Sequence, residues 1–100
     1  MKSKIVDDDF YIYFGRKYKD KDVITVIKLK NGIEFEYRNN EPYAIIIPQL
    51  IKQLPTQDFD EISIDNLEMA DDDTMHLSLD VDGTIISVQF DCAELRKRNI

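Results

Sequence analysis

The sequence predicts an α+β fold: a mostly antiparallel sheet of about six strands, one main helix within residues 42–54, and a short C-terminal helix. Three observations lead there. Two glycine turns, Lys30-Asn31-Gly32 and Asp82-Gly83, each join segments whose apolar residues alternate along the chain. Tyr43, Ile47, Leu50, Ile51 and Leu54 fall at i, i+4, i+7, i+8 and i+11, the spacing of one helical face. The chain has 100 residues, 43% of them hydrophobic, and one cysteine, so a single domain spanning residues 1–100 can bury a core without a disulfide.

Taken in order, Phe10–Phe14 reads as a short strand with apolar or aromatic residues on both faces. Val23–Leu29 and Ile33–Arg38 then form a hairpin. A two-residue Asn-Gly turn would oppose Lys28 to Phe35 and Leu29 to Glu34. A three-residue loop instead opposes Leu29 to Ile33, Ile27 to Phe35 and Lys28 to Glu34, and it puts Gly32 at the left-handed position of a bulged turn. The second register keeps one apolar face and matches opposite charges, so it is the one expected.

The middle segment has two readings. One is a kinked helix over 42–54. The other is extended Tyr43–Ile47 followed by a helix over 48–54. The second is preferred: Pro48 inside a helix would remove the hydrogen bond to Ala44 and push Ile47 toward extended backbone. Pro55 ends the helix in either case.

Over Asp60–Asp65, Ile62 and Ile64 point inward; Leu67 and Met69 continue with opposite parity, which calls for a bulge or corner at Asp65-Asn66. Met75–Val81 and Thr84–Phe90 form the second hairpin. Here a two-residue turn opposes Leu79 to Ile86, Leu77 to Val88 and Met75 to Phe90, with His76, Ser78 and Asp80 on the polar side. Asp91-Cys92-Ala93-Glu94 is a capping-box-like start for a terminal helix, and Arg96-Lys97-Arg98 suits its C-terminus. Each half thus runs strand, glycine hairpin, helix, a weak internal repeat.

Charge is distributed unevenly along this pattern. Residues 1–57 hold ten Lys/Arg and eight Asp/Glu, whereas residues 58–100 hold three and twelve, so nets of +2 and −9 make up the total of −7. No lysine or arginine stands between Lys52 and Arg96. A one-signed field attracts a partner of opposite sign and repels nucleic acid and anionic membrane. Asp58, Asp60, Glu61, Glu68, Asp71, Asp72 and Asp73 are the candidate partner-binding residues.

Other motifs point to simpler roles. Asp80-Val81-Asp82-Gly83-Thr84-Ile85 resembles the centre of an EF-hand calcium loop. The ligand positions on either side would be Ser78 and Gln89, where calcium needs carboxylates, and the flanks read as strands. A hairpin turn explains the Asp-Gly pair, and no metal or cofactor is expected. His76 and Cys92 are the one nucleophile-and-base pair of conventional type, but their parities put them on opposite sides of the sheet, out of hydrogen-bond reach. The three glycines stand at separate turns, and no Gly-rich phosphate loop exists. Arg16, Lys17, Lys19 and Lys21 surround Tyr18 in a basic loop that Asp20 and Asp22 dilute.

The N-terminus has two lysines and no apolar run before Asp7-Asp8-Asp9, and the longest uncharged stretch, residues 42–51, contains two prolines. No signal peptide or membrane span is expected, and a cytoplasmic location is. The expected function is non-catalytic binding of a basic protein, in the manner of an inhibitor or immunity protein that blocks a nuclease or other nucleic-acid-binding enzyme, without direct contact to nucleic acid. One alternative is an accessory subunit or homo-oligomeric module, such as a homodimer, held through the Phe10–Phe14 edge and its tyrosines. Another is a small enzyme with no recognisable motif.

Overall fold

The computed structural model describes residues 1–15, 17 and 19–97. The chain divides into two compact units, Met1–Gln53 and Leu54–Asn99, and each has its own antiparallel sheet. Antiparallel sheet predominates, as expected. There are eight strands in two sheets rather than about six in one, and both described helices are a single turn long.

The first unit consists of β1 (Lys2–Val6), β2 (Asp9–Tyr13), β3 (Ile24–Lys28), β4 (Glu34–Arg38), β5 (Glu41–Ile47) and α1 (Leu50–Gln53), with sheet order β1-β2-β5-β4-β3. The β3–β4 hairpin adopts the expected register. Ile27 faces Phe35 and Lys28 faces Glu34; the Leu29 amide donates to the Ile33 carbonyl at 2.8 Å, and Gly32 has φ 92°. β5 opposes β4 through a two-residue Asn39-Asn40 turn, both asparagines at positive φ, with a bulge at Glu36/Tyr37.

β5 settles the ambiguous middle segment in favour of an extended Tyr43–Ile47. Its neighbours β2 and β4 pair with both edges of Ala44–Ile46, and with Ala44, Ile45 and Ile47 buried and Ile46 half-buried both of its faces are covered, so apolar residues on successive positions are stable in a strand. The helix expected over 48–54 shrinks to Leu50–Gln53, because Gln49 takes φ 58° after Pro48 and interrupts the backbone. The Asp9 carboxylate accepts the Gln49 amide at 2.8 Å and fixes that corner.

β1 was not foreseen. It pairs along the whole of β2, joined by the tight Asp7-Asp8 turn, so β2 has a neighbour on both sides. The Phe10–Phe14 segment is therefore no edge, and the alternative of assembly through it has no free strand edge to use. Phe10, Ile12, Ile27, Phe35, Ile45, Ile47, Leu50 and Ile51 form the core of this unit.

The second unit is a meander of β6 (Ile62–Met69), β7 (Thr74–Val81) and β8 (Thr84–Asp91), followed by α2 (Glu94–Lys97). The β7–β8 hairpin has the expected two-residue turn, with Leu77 opposite Val88 and Met75 opposite Phe90. Asp82 (φ 51°) and Gly83 (φ 88°) both take left-handed backbone, as the natural twist of such a hairpin requires. β6 shifts register between Ile64 and Asn66, the bulge its parity change demands. Met75, Leu77, Leu79 and Val81 are buried, alternating with half-exposed residues along the central strand. Met69, expected inward, is 46% exposed. At α2, the Asp91 carboxylate accepts the Ala93 amide at 3.0 Å, in keeping with the capping role expected there. No described helix is long and apolar enough to cross a membrane.

Candidate functional site

The seven carboxylates singled out by sequence fall into two groups. Asp60 and Glu61 lead into β6 beside the β7–β8 turn, and their amides donate to the Asp82 carboxylate at 2.8–3.1 Å. Asp58 precedes them in a turn where Thr56 Oγ1 accepts its amide. Asp71, Asp72 and Asp73 form the β6–β7 turn at the opposite end of the sheet, with Glu68 nearby opposite His76. The strand between the groups is eight residues long, which spans about 23 Å at roughly 3.3 Å per residue. At 0.15 M salt the screening length is about 8 Å, so the two groups act as separate charges on a partner.

Six of the seven are exposed and Asp73 is half-buried. Arg96 Nη2 lies 3.2 Å from the Asp73 carboxylate and 3.5 Å from the Asp71 carbonyl. Among the described side chains of this unit, Arg96 is the one lysine or arginine. Asp72 is held below the ordinary carboxylate range by hydrogen bonds from the Thr74 side chain and the Thr74 amide. The polar side of the sheet carries Ser63, Asn66, Glu68, Thr74, His76, Ser78, Asp80, Ser87, Gln89 and Asp91, interrupted by the exposed Ile85 opposite Asp80.

Asp80 and Asp82 serve the hairpin. Asp80 accepts the Gly83 amide at 2.8 Å, while Asp82 receives the two amides already described. Among the described residues, no group of three or more His, Cys, Asp or Glu is placed to hold a metal ion. Cys92 is 1% exposed, and burial, reinforced by Asp91, pushes its thiol up to about 11, so it is a poor nucleophile at neutral pH. His76 sits between the buried Met75 and Leu77 on the strand and so projects to the polar face.

A second surface emerges in the first unit. Phe10 and Ile12 point into the core, so Tyr11 and Tyr13 stand on the outer face of β2. Their rings stack at 6.4 Å, and Tyr13 meets Tyr43 of β5 edge-on at 6.0 Å. Lys4, opposite Tyr11 on β1, places Nζ 5.2 Å and 5.6 Å from the Tyr11 and Tyr13 ring centres. At the other end Arg38 lies 4.3 Å over Tyr43 and bonds Glu36 at 3.1 Å, which raises its pKa further. Three tyrosines, with Lys4 over the Tyr11–Tyr13 pair and Arg38 over Tyr43, thus form a row across β1, β2, β5 and β4.

Sequence reasoning missed this row because it assigned no strand before Phe10. Two signals were present. Lys2 and Lys4 alternate like Tyr11 and Tyr13, and Asp7-Asp8 suits a tight turn. Of the basic loop, Lys17, Lys19 and Lys21 are exposed, while Arg16 and Tyr18 lie outside the described residues. Comparison with protein-family models, with curated proteins and with solved structures gives no match.

Proposed function

We propose that this chain is a non-catalytic binding protein whose acidic second unit docks on a basic protein surface, as an inhibitor or immunity protein docks on a nucleic-acid-acting enzyme. One observation supports it above others: six of the seven candidate carboxylates are exposed, at the two ends of one sheet, and Arg96, the described cation of this unit, pairs with the seventh, Asp73. Carboxylates in that disposition meet the same arginines and lysines that hold phosphates. A partner fits best if its cations extend along a groove about as long as the strand, roughly 23 Å.

The test uses three baits at 50 mM salt: the natural chain, Asp60→Lys/Glu61→Lys and Asp71→Lys/Asp72→Lys. Quantitative mass spectrometry should find a basic nucleic-acid-acting enzyme on the natural bait and at least about tenfold less of it on each variant, since close charge pairs are worth over 1.4 kcal/mol. The purified chain should then inhibit that enzyme. Equal recovery on all three baits would refute the proposal.

A homo-oligomeric module is the second reading, favoured by the β3 edge. Val23, Ile24 and Val26 are 68%, 53% and 52% exposed on or beside that strand. Exposed apolar edge strands invite pairing with another chain. Sedimentation showing a dimer that Val26→Lys dissociates would favour this reading over a monomeric inhibitor.

A further inference from the structure

We infer that the tyrosine row on the outer face of the first unit's sheet is a binding site for single-stranded nucleic acid, read without sequence preference. The net charge of −7 argues against such a ligand, but it averages a unit of mixed charge with a strongly acidic one. Local chemistry decides contact once screening sets in. Over β1 and β2 the outward residues are Lys2, Lys4, Val6, Asp9, Tyr11 and Tyr13, and the Asp9 carboxylate already accepts the Gln49 amide. The acids farther across, Glu34, Glu36 and Glu41, lie opposite Lys28 or Arg38, or bond to Arg38.

The ring spacing suits the ligand. Tyr11 and Tyr13 lie within 20° of parallel with centres 6.4 Å apart, close to twice the roughly 3.4 Å rise of a duplex strand, as two neighbouring bases of a stretched strand require; Tyr43, at 76° to Tyr13, borders that pair edge-on. Every base has a flat face to lay on a tyrosine, so stacking tolerates any sequence, and flanking Lys or Arg neutralise the backbone. The three rings are half-exposed, so none is spent in the core. Lys4 is exposed and can leave the rings to meet a phosphate, while Arg38, its charge matched by Glu36, borders Tyr43 at the far end.

The experiment is fluorescence anisotropy of a labelled 12-nucleotide oligothymidylate titrated with the full chain. Binding should saturate. With Lys2 and Lys4 each neutralising one phosphate, log affinity should fall with log salt at a slope of about −1.4, and Lys4→Ala should flatten it to about −0.7. Tyr11→Leu/Tyr13→Leu should weaken binding at least about tenfold, and Tyr11→Phe/Tyr13→Phe by no more than about threefold. Circular dichroism confirms that each variant is folded. The inference is overturned by absence of saturable binding at 50 mM salt, by a folded leucine variant that binds like the natural chain, or by a polyglutamate of equal charge that competes as well as the oligonucleotide. That last result would assign the row to acidic peptides.

Discussion

Asp82 shows how one side chain can hold a junction together. Its backbone takes the left-handed turn at φ 51°, its amide donates to the Glu61 carbonyl at 3.1 Å, and its carboxylate accepts the Asp60 and Glu61 amides. Asp82→Ala should therefore cost about 1–2 kcal/mol in urea unfolding, and Asp82→Asn less than about 1, because asparagine tolerates the backbone and keeps one acceptor. Cys92 offers a second check. A thiol moved from 9.0 to about 11 has about a hundredfold less thiolate at pH 8, so alkylation should be about that much slower folded than unfolded. Because the folded state keeps this proton while the unfolded chain loses it, stability should decline as pH rises from about 9 to about 11. Asp72 has the opposite sign: its lowered value means stability present above the ordinary carboxylate range and lost as pH falls through the lowered one. Asp72→Asn should flatten that part of the acid limb of a pH–stability profile.

At the level of elements, the two glycine hairpins differ in what surrounds them. A Cβ at Gly83 would meet nothing within 4 Å, so Gly83→Ala should cost only the left-handed backbone penalty, about 1 kcal/mol. At Gly32 a Cβ would stand 3.0 Å from Pro48 Cγ, next to the β5–α1 corner. Gly32→Ala should cost more, about 2–3 kcal/mol, and a smaller loss there than at Gly83 would contradict this packing. Both turns were legible in the sequence because parity and charge pairing leave one sensible register. The helix was not. Tyr43, Ile47, Leu50, Ile51 and Leu54 fit a helical spacing, yet the run Ala44-Ile45-Ile46-Ile47 fits a strand covered on both sides equally well, and periodicity cannot separate the two. Pro48 was the better guide.

On the scale of the whole molecule, the lopsided charge has a measurable consequence. Residues 58–100 carry a net −9, and a pair of like charges about 7 Å apart repels by only about 0.6 kcal/mol in water. Many such pairs sum to an appreciable strain, although the division of the named acids into two groups weakens it. Raising salt from about 10 mM to about 150 mM should raise the thermal midpoint by screening that repulsion. A midpoint that falls instead would show that favourable pairs, such as Arg96–Asp73 and Lys52–Asp8, outweigh it. The same screening separates the two binding proposals. Reversing Asp60 and Glu61 should weaken capture of a basic protein without weakening oligonucleotide binding, whereas Tyr11→Leu/Tyr13→Leu should weaken oligonucleotide binding and spare capture of the basic protein.

Composition and local pattern alone determined the antiparallel character, both glycine-hairpin registers, the bulge in β6 and the excess of acid in the second half. These follow from interactions between residues close in the chain, where parity and turn chemistry admit few alternatives. Tertiary structure decided that β1 closes over β2, that β5 lies between β2 and β4, that the acids separate to opposite ends of a sheet, and that three tyrosines and two cations from four strands form one row. Each of those depends on which strands become neighbours across long loops, a choice made by burial of the whole core and carried by no single segment.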